Sequence, residues 1–199
     1  KNKTAYHEME KELQNRMEAG SDPFGIVVCD INGLKAINDT QGHKAGDEYI
    51  RTSCMLICRI FSHSPVFRIG GDEFAVLLRG QDYENRESLL ATLRRKVEEN
   101  VRIGEGPVVA SGMAEYNTQE DHSIGEIFER ADKYMYEDKT HIKEMKLVLE
   151  AHSLKESAGF TLITEERRAK LDMLYKAFEI VSEGSYVYLC DMKYDYSHS

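Results

Sequence analysis

The chain has 199 residues, with 26 Lys and Arg against 35 Asp and Glu for a formal net charge of −9, and 41% of its residues are hydrophobic. That length predicts one well-cored domain with a shorter appendage, and the acidic balance lacks the basic footprint of a nucleic-acid binder. Its longest apolar runs fall far short of the roughly 18–20 residues that cross a bilayer, so no membrane contact is expected.

Residues 4–17 carry Tyr6, Met9, Leu13 and Met17 at helical spacing among charges, an amphipathic helix that Gly20 ends. Residues 24–31 are continuously apolar and β-branched, the pattern of a strand buried on both faces, and they deliver Asp30 to its C-terminal end. A polar stretch with Gly33, Asn38 and Gly42 follows. Residues 45–61 then read as a helix burying Tyr49, Ile50, Met55, Leu56 and Ile60, stopped before Pro65. Two strands, 66–69 and 73–78, flank Gly70-Gly71-Asp72 as a tight hairpin with acids at its tip. Residues 86–97 form a helix, 107–114 a strand, and Ser123 with Glu126 makes a capping box for a helix through Phe128, Ala131 and Met135. One hairpin and no repeating βαβ period predict an α+β fold, helices packed on a mainly antiparallel central sheet.

Beyond Lys143 the pattern weakens. Residues 165–182 then read as a second helix closed by Gly184, and 185–192 as a strand. The division expected is a domain over 1–146 and, over 147–199, a linker helix with the truncated start of a following domain. The opening Lys1-Asn2-Lys3, without Met, suggests a piece of a longer protein. Four cysteines, Cys29, Cys54, Cys58 and Cys190, are too few and scattered for a disulfide framework and point to a reducing compartment. Cys54, Cys58 and His63 could be imagined around a metal, but no second ligand pair accompanies them, so buried helical thiols are the expectation.

The chemistry concentrates in three acids. Asp30 at a strand end and Asp72-Glu73 at the hairpin converge if their strands are neighbours, and hard oxygen donors suit Mg²⁺ rather than zinc. Turn glycines would let a phosphate lie close to the backbone, and an ordinary hairpin with a solvated acidic tip is the alternative.

Arg68-Ile69-Gly70-Gly71-Asp72-Glu73-Phe74 closely resembles the signature of the GGDEF family, the diguanylate cyclases. Three further segments resemble that family's motifs in its order: residues 30–39 (DINGLKAIND), Gly42-His43-Lys44-Ala45-Gly46-Asp47, and Arg130-Ala131-Asp132 with Tyr136 and Lys139. The resemblance covers residues 2–146. It implies a fold similar to the ferredoxin-like palm of nucleotidyl cyclases, and a bacterial, cytoplasmic enzyme that joins two GTP into cyclic di-GMP as a homodimer. By position, Asp30, Glu73 and the Ile31 carbonyl would hold Mg²⁺ (or Mn²⁺), and Asp72 would join the metal site and promote hydroxyl attack. Gly33, Leu34, Gly70, Gly71, Lys139 and Lys143 would bind phosphates, Lys35 would assist catalysis, and Asn38 and Asp47 would read guanine. An in-line displacement at phosphorus needs positioning and charge neutralisation, which this inventory supplies. The upstream region and the tail imply sensor domains on either side, the tail faintly resembling the start of a PAS-type domain.

Some departures from the family pattern stand out. Asp138-Lys139 leads to Ile142-Lys143-Glu144 where Ala-Lys and Gly-Arg-Asn are usual, and Asn32 stands where a second Asp is common. The product-inhibition motif Arg-x-x-Asp is replaced by Phe61-Ser62-His63-Ser64, so no such feedback site is expected. A GGDEF-like module that binds GTP or cyclic di-GMP without turnover is the alternative reading. No P-loop or Gly-x-Gly-x-x-Gly motif is present.

Overall fold

The computed structural model describes residues 1–20 and 22–158. The chain divides into two units, Lys1–Lys146 and Leu147–Ser199, and the first of them contains the sheet. The elements run α1 (Lys3–Ala19), β1 (Gly25–Ile31), α2 (Leu34–Gln41), α3 (His43–Ile60), β2 (Val66–Arg68), β3 (Glu73–Leu78), α4 (Gly80–Glu84), α5 (Arg86–Ile103), β4 (Val109–Glu115) and α6 (Ile124–Ala158).

The apolar run of β1 suits it to the interior of the sheet, and every one of its residues is buried. It pairs antiparallel with β3 on one side and β4 on the other, and β2 adds to β3, giving a four-stranded sheet of order β2-β3-β1-β4. With its helical crossovers this is the ferredoxin-like α+β arrangement that the sequence predicts. Register places Phe67, Ala75, Val28 and Gly112 in one row across the sheet. The covering helices on that face are α1, whose Tyr6 ring lies 5.7 Å from Phe67 and 6.2 Å from Phe128, and α6. At Gly112 the approach is extreme: a Cβ there would stand 2.1 Å from the Met135 backbone nitrogen and 2.2 Å from the Ala131 carbonyl oxygen. Only glycine lets α6 lie this close to β4.

Asn2 caps α1 by accepting from the Ala5 N–H at 3.0 Å, and Gly20 ends the helix. The capping box at α6 forms as the sequence predicts: the Glu126 N–H donates to Ser123 Oγ at 3.3 Å and the Ser123 N–H to Glu126 Oε2 at 3.2 Å. Other expectations need correction. Residues 34–41, a polar stretch in the sequence, form α2, a helix without a single buried residue and therefore without an apolar stripe to betray it. In α3 the buried residues are Gly46, Ser53 and Ile57, whereas the expected Tyr49, Ile50, Leu56 and Ile60 are only half-buried and Met55 is 45% exposed. α5 continues to Ile103, the short α4 has no counterpart among the expected elements, and α6 runs unbroken through Lys143 to Ala158. The helix and strand expected over 165–192, and with them the sensor-like tail, lie outside the described residues.

The outward backbone groups of β4 are closed at Ser111. Its N–H donates to Asp138 Oδ2 at 2.7 Å and its carbonyl accepts from Arg94 at 3.0 Å, while Arg94 and Asp138 pair at 3.3 Å. Across the sheet, the Arg68 N–H at the β2 edge donates to the Lys1 carbonyl at 2.8 Å.

Candidate active site

Asp30 and Glu73 are direct cross-strand partners between β1 and β3. The next pair, Ile31 with Asp72, is joined by a 2.9 Å bond from the Ile31 N–H to the Asp72 carbonyl. Hydrogen-bonded and non-bonded pairs alternate in an antiparallel ladder, so Asp30 and Glu73 occupy a non-bonded pair, where side chains approach most closely. Two acids facing each other there repel, and a sheet tolerates them where a cation offsets the charge. Asp30 is 7% exposed. Burial pushes its pKa above the usual carboxylate range, Lys139 pulls it down, and the nearby Asp72 and Asp132 push it up again. Lys139 Nζ donates to Asp30 Oδ1 at 2.8 Å.

The hairpin is wider than a two-residue Gly-Gly turn, because the Ile69 N–H donates to the Glu73 carbonyl at 3.0 Å. Arg68 braces it with a 2.6 Å bond to the Gly71 carbonyl. Neither Gly70 nor Gly71 has a positive φ. Gly70 leaves room for Glu73 in this conformation: a Cβ would meet the mobile end of that side chain, Oε2, at 2.3 Å and displace it. At Gly71 the same direction is open, which leaves the backbone approachable as the sequence reading expects.

Gly33, at φ 84° in the left-handed region, turns the chain from β1 into α2 and leaves the first turn of that helix without a side-chain cap. The free N–H groups around Leu34 form a site with the geometry and dipole to hold an anion. Lys35 is exposed in the same turn. Further along, the Asn38 side chain presses on α3 at Gly46, where a Cβ would lie 2.0 Å from Asn38 Oδ1. Asp47 follows immediately and is exposed, so this contact brings together the segments that carry the two expected guanine readers. Tyr49 ties the floor beneath them: its hydroxyl donates to the Asn32 carbonyl at 3.2 Å and accepts from the Val108 N–H at 2.9 Å.

On α6, Lys139 faces Asp30, and Lys143 is exposed one turn on. Asp138, the residue that departs from the family pattern, points to the sheet edge at Ser111 and to Arg94. Burial raises its pKa, against the Ser111 N–H and the Arg94 and His141 charges. Arg130 is structural in its contacts, pairing with the buried Asp121 and donating to the Glu115 carbonyl at 2.7 Å. In the expected feedback window, His63 is clamped to Asp82, whose carboxylate accepts from the His63 N–H at 3.0 Å and meets Nδ1 at 3.1 Å. Cys54 and Cys58 lie 4.0 Å apart, Cys58 is exposed and Cys54 part-exposed instead of buried, and His63 is engaged elsewhere.

The structure thus gathers Asp30, Ile31, Glu73 and Lys139 at one point, with Asp72 close enough to influence Asp30. Among the described residues, no group of three or more acidic, histidine or cysteine side chains is placed to hold a metal ion. The donors present are paired carboxylates and a backbone carbonyl. That set fits Mg²⁺, which commonly takes one or two protein carboxylates and completes its shell with substrate phosphates and water. Sequence reasoning misses the roles of Arg94 and Asp138, because their contacts join residues far apart in the chain and no local motif announces them.

Residues 2–145 match the family described as diguanylate cyclase, GGDEF domain. Among curated proteins, the chain is 32% identical over 127 residues to a probable diguanylate cyclase, DgcT, of Escherichia coli, covering 61% of this chain and 28% of that one. It is 32% identical over 123 residues to diguanylate cyclase A of Treponema denticola, covering 59% and 33%. The chain spans about a third or less of the length of these relatives. Among solved structures, the GGDEF domain of DgcB from Caulobacter crescentus in complex with c-di-GMP aligns at TM-score 0.58 and 29% identity, covering 70% of this chain and 83% of that one. The active GGEEF domain of a Vibrio cholerae diguanylate cyclase aligns at TM-score 0.56 and 25% identity, covering 68% and 87%.

Proposed function

The chain belongs to the GGDEF family of diguanylate cyclase domains, and from that premise we propose that it condenses two GTP molecules into cyclic di-GMP with loss of two pyrophosphates, each of two chains holding one GTP. The observation that carries this reading is the cross-strand pair Asp30 and Glu73. Its partner in the argument is the uncapped N-terminus of α2, with open backbone around Gly33 and Gly71. Asp30, Glu73 and the Ile31 carbonyl would hold Mg²⁺ (or Mn²⁺), which supplies charge neutralisation at the reacting phosphate.

This chain's own groups do the positioning. Amides near Gly33 and Leu34, with Gly70 and Gly71 opposite, cradle the phosphates, and Lys139 and Lys143 offset the charge that builds on the leaving pyrophosphate. Lys35 adds a further positive charge beside the first turn of α2. Asn38 and the Asp47 carboxylate read the guanine edge, Asp47 accepting from ring N–H and exocyclic amine donors that adenine does not present together. Asp72 takes the proton as the incoming 3′-hydroxyl attacks the α-phosphorus in line with the departing pyrophosphate. Each chain carries half of the reaction, so turnover requires a dimer. We place the domain over residues 1–146 in a multidomain bacterial signalling protein of the cytoplasm, flanked by sensor modules. Among the described residues no helix is long and apolar enough to cross a membrane.

The test is incubation of the purified chain, alone and fused to a dimerising segment, with GTP and Mg²⁺, followed by chromatography for cyclic di-GMP. Product formation that disappears in Glu73→Ala supports the cyclase. GTP binding without product, even in the dimerised form, sinks it in favour of a nucleotide-sensing module.

A further inference from the structure

Lys139 does something that its expected place on the triphosphate does not require: it is bonded to the carboxylate that the proposed reading gives to the metal. Its ammonium donates to Asp30 Oδ1 at 2.8 Å. The Asp30 side chain is 9% exposed and that of Lys139 is 43% exposed, so the acid is fixed in the protein while the lysine can withdraw. Asp72 and Asp132 add their negative charge around Asp30. Both ends of the contact are firmly mounted. β1 sits mid-sheet between β3 and β4. α6 is held at Gly112 by backbone contact and, one residue before Lys139, by the bond from the Ser111 N–H to Asp138.

A divalent cation approaching Asp30 therefore meets an ammonium already on the same oxygen. The two positive charges repel across one carboxylate, so the arriving cation weakens the lysine contact, and that loss is offset only where another anion receives the ammonium. A triphosphate brings that anion. The rest of the donor set points the same way: among the described residues no cage of three or more acidic, histidine or cysteine side chains waits for a bare ion. A cation here has few protein donors and completes its shell with phosphate oxygens and water, of which phosphate alone also offers an anion to the lysine.

We propose that Lys139 is a specificity-determining residue that makes the site accept the divalent cation as its nucleoside triphosphate complex and reject the free ion. This inference rests on the reading of Asp30 as a metal ligand. Lys139 opposes the cation when no phosphate is present and assists it when phosphate arrives, so its removal has effects of opposite sign in the two situations. A lysine serving only to hold α6 in place would weaken both.

Binding of Mn²⁺ to the whole chain, followed by the electron paramagnetic resonance of the free ion, tests this with and without a non-hydrolysable GTP analogue. The variants are Lys139→Met and Lys139→Gln; glutamine keeps an N–H donor for Asp30, so a folded protein is in hand should methionine destabilise it. Without nucleotide, both folded variants should bind Mn²⁺ about tenfold more tightly than the wild type, the scale of one charge-assisted contact discounted for the exposure of the lysine. With the analogue, both should bind the Mn²⁺ complex more weakly than the wild type. Equal or weaker Mn²⁺ binding by the lysine variants without nucleotide, with binding lost in Asp30→Asn, overturns the inference and leaves the proposed site standing. Mn²⁺ binding that persists in Asp30→Asn overturns both.

Discussion

Replacing Gly46 by alanine separates recognition of the base from stability of the fold. Gly46 is helical within α3 and does not have a positive φ, so alanine suits its backbone. On helix propensity alone the change would stabilise the protein by about 1 kcal/mol. The new Cβ, however, would stand 2.0 Å from Asn38 Oδ1 and 2.8 Å from its Cγ. Carbon and oxygen settle at about 3.3 Å, so the amide must retreat by about 1.3 Å. A side-chain amide can make that move cheaply, but a hydrogen bond stretched so far is lost. The expected result is a melting temperature that holds or rises, while affinity for a non-hydrolysable GTP analogue falls about fivefold, the value of one neutral hydrogen bond near 1 kcal/mol. Affinity for the corresponding ATP analogue should not fall in step. Calorimetric titration and a thermal melt on the same preparations decide it. Unchanged GTP-analogue affinity in a folded Gly46→Ala protein would refute the assignment of Asn38 to the guanine.

Glu73→Ala should abolish cyclic di-GMP formation and shift the melting temperature by no more than a few degrees, because the side chain is exposed at the strand entrance; a large loss of stability would mean the acid supports the hairpin. Gly112→Ala should cost several kcal/mol or prevent folding, since the added carbon meets α6 backbone and not a yielding side chain, and urea denaturation reads the loss directly. Asp138→Asn tests the buried cap. Burial raises the folded pKa of Asp138 above the ordinary 3.8, so its contribution to stability is complete at low pH and is lost as pH climbs through the folded value. The stability of Asp138→Asn relative to wild type should therefore improve as pH rises from the ordinary value of 3.8 through the folded value, and a urea-midpoint difference that stays flat or reverses over that rise would contradict it.

What can be read from the sequence follows the kind of residue that makes each contact. β1 announces itself because it is buried on both faces and therefore continuously apolar, and the capping box of α6 is a local signal between Ser123 and Glu126. The acids of the site are visible because a strand end and a glycine turn put them there. α2 is invisible to apolar spacing since it buries nothing, its helix being set by the Gly33 turn and its packing against α3. The face of α3 is easily misjudged because two of its three buried residues are small: Gly46 accommodates Asn38, and Ser53 turns its hydroxyl onto the Tyr49 carbonyl at 2.8 Å. The bond between Lys139 and Asp30 spans 109 residues, and only the register of α6 on β4 brings its partners together. In sequence, Asp138 looks like damage to a phosphate grip; in three dimensions it answers a backbone group at the sheet edge.

That edge also bears on how two copies could meet. A strand with free rungs invites another strand to lengthen the sheet, the route to swapped or fibrillar assemblies. Here the rung at Ser111 is filled by Asp138 and Arg94, and the opposite border is occupied at Arg68 by Lys1. A second copy therefore cannot extend the sheet through those two rungs, because their backbone groups already have partners within the chain.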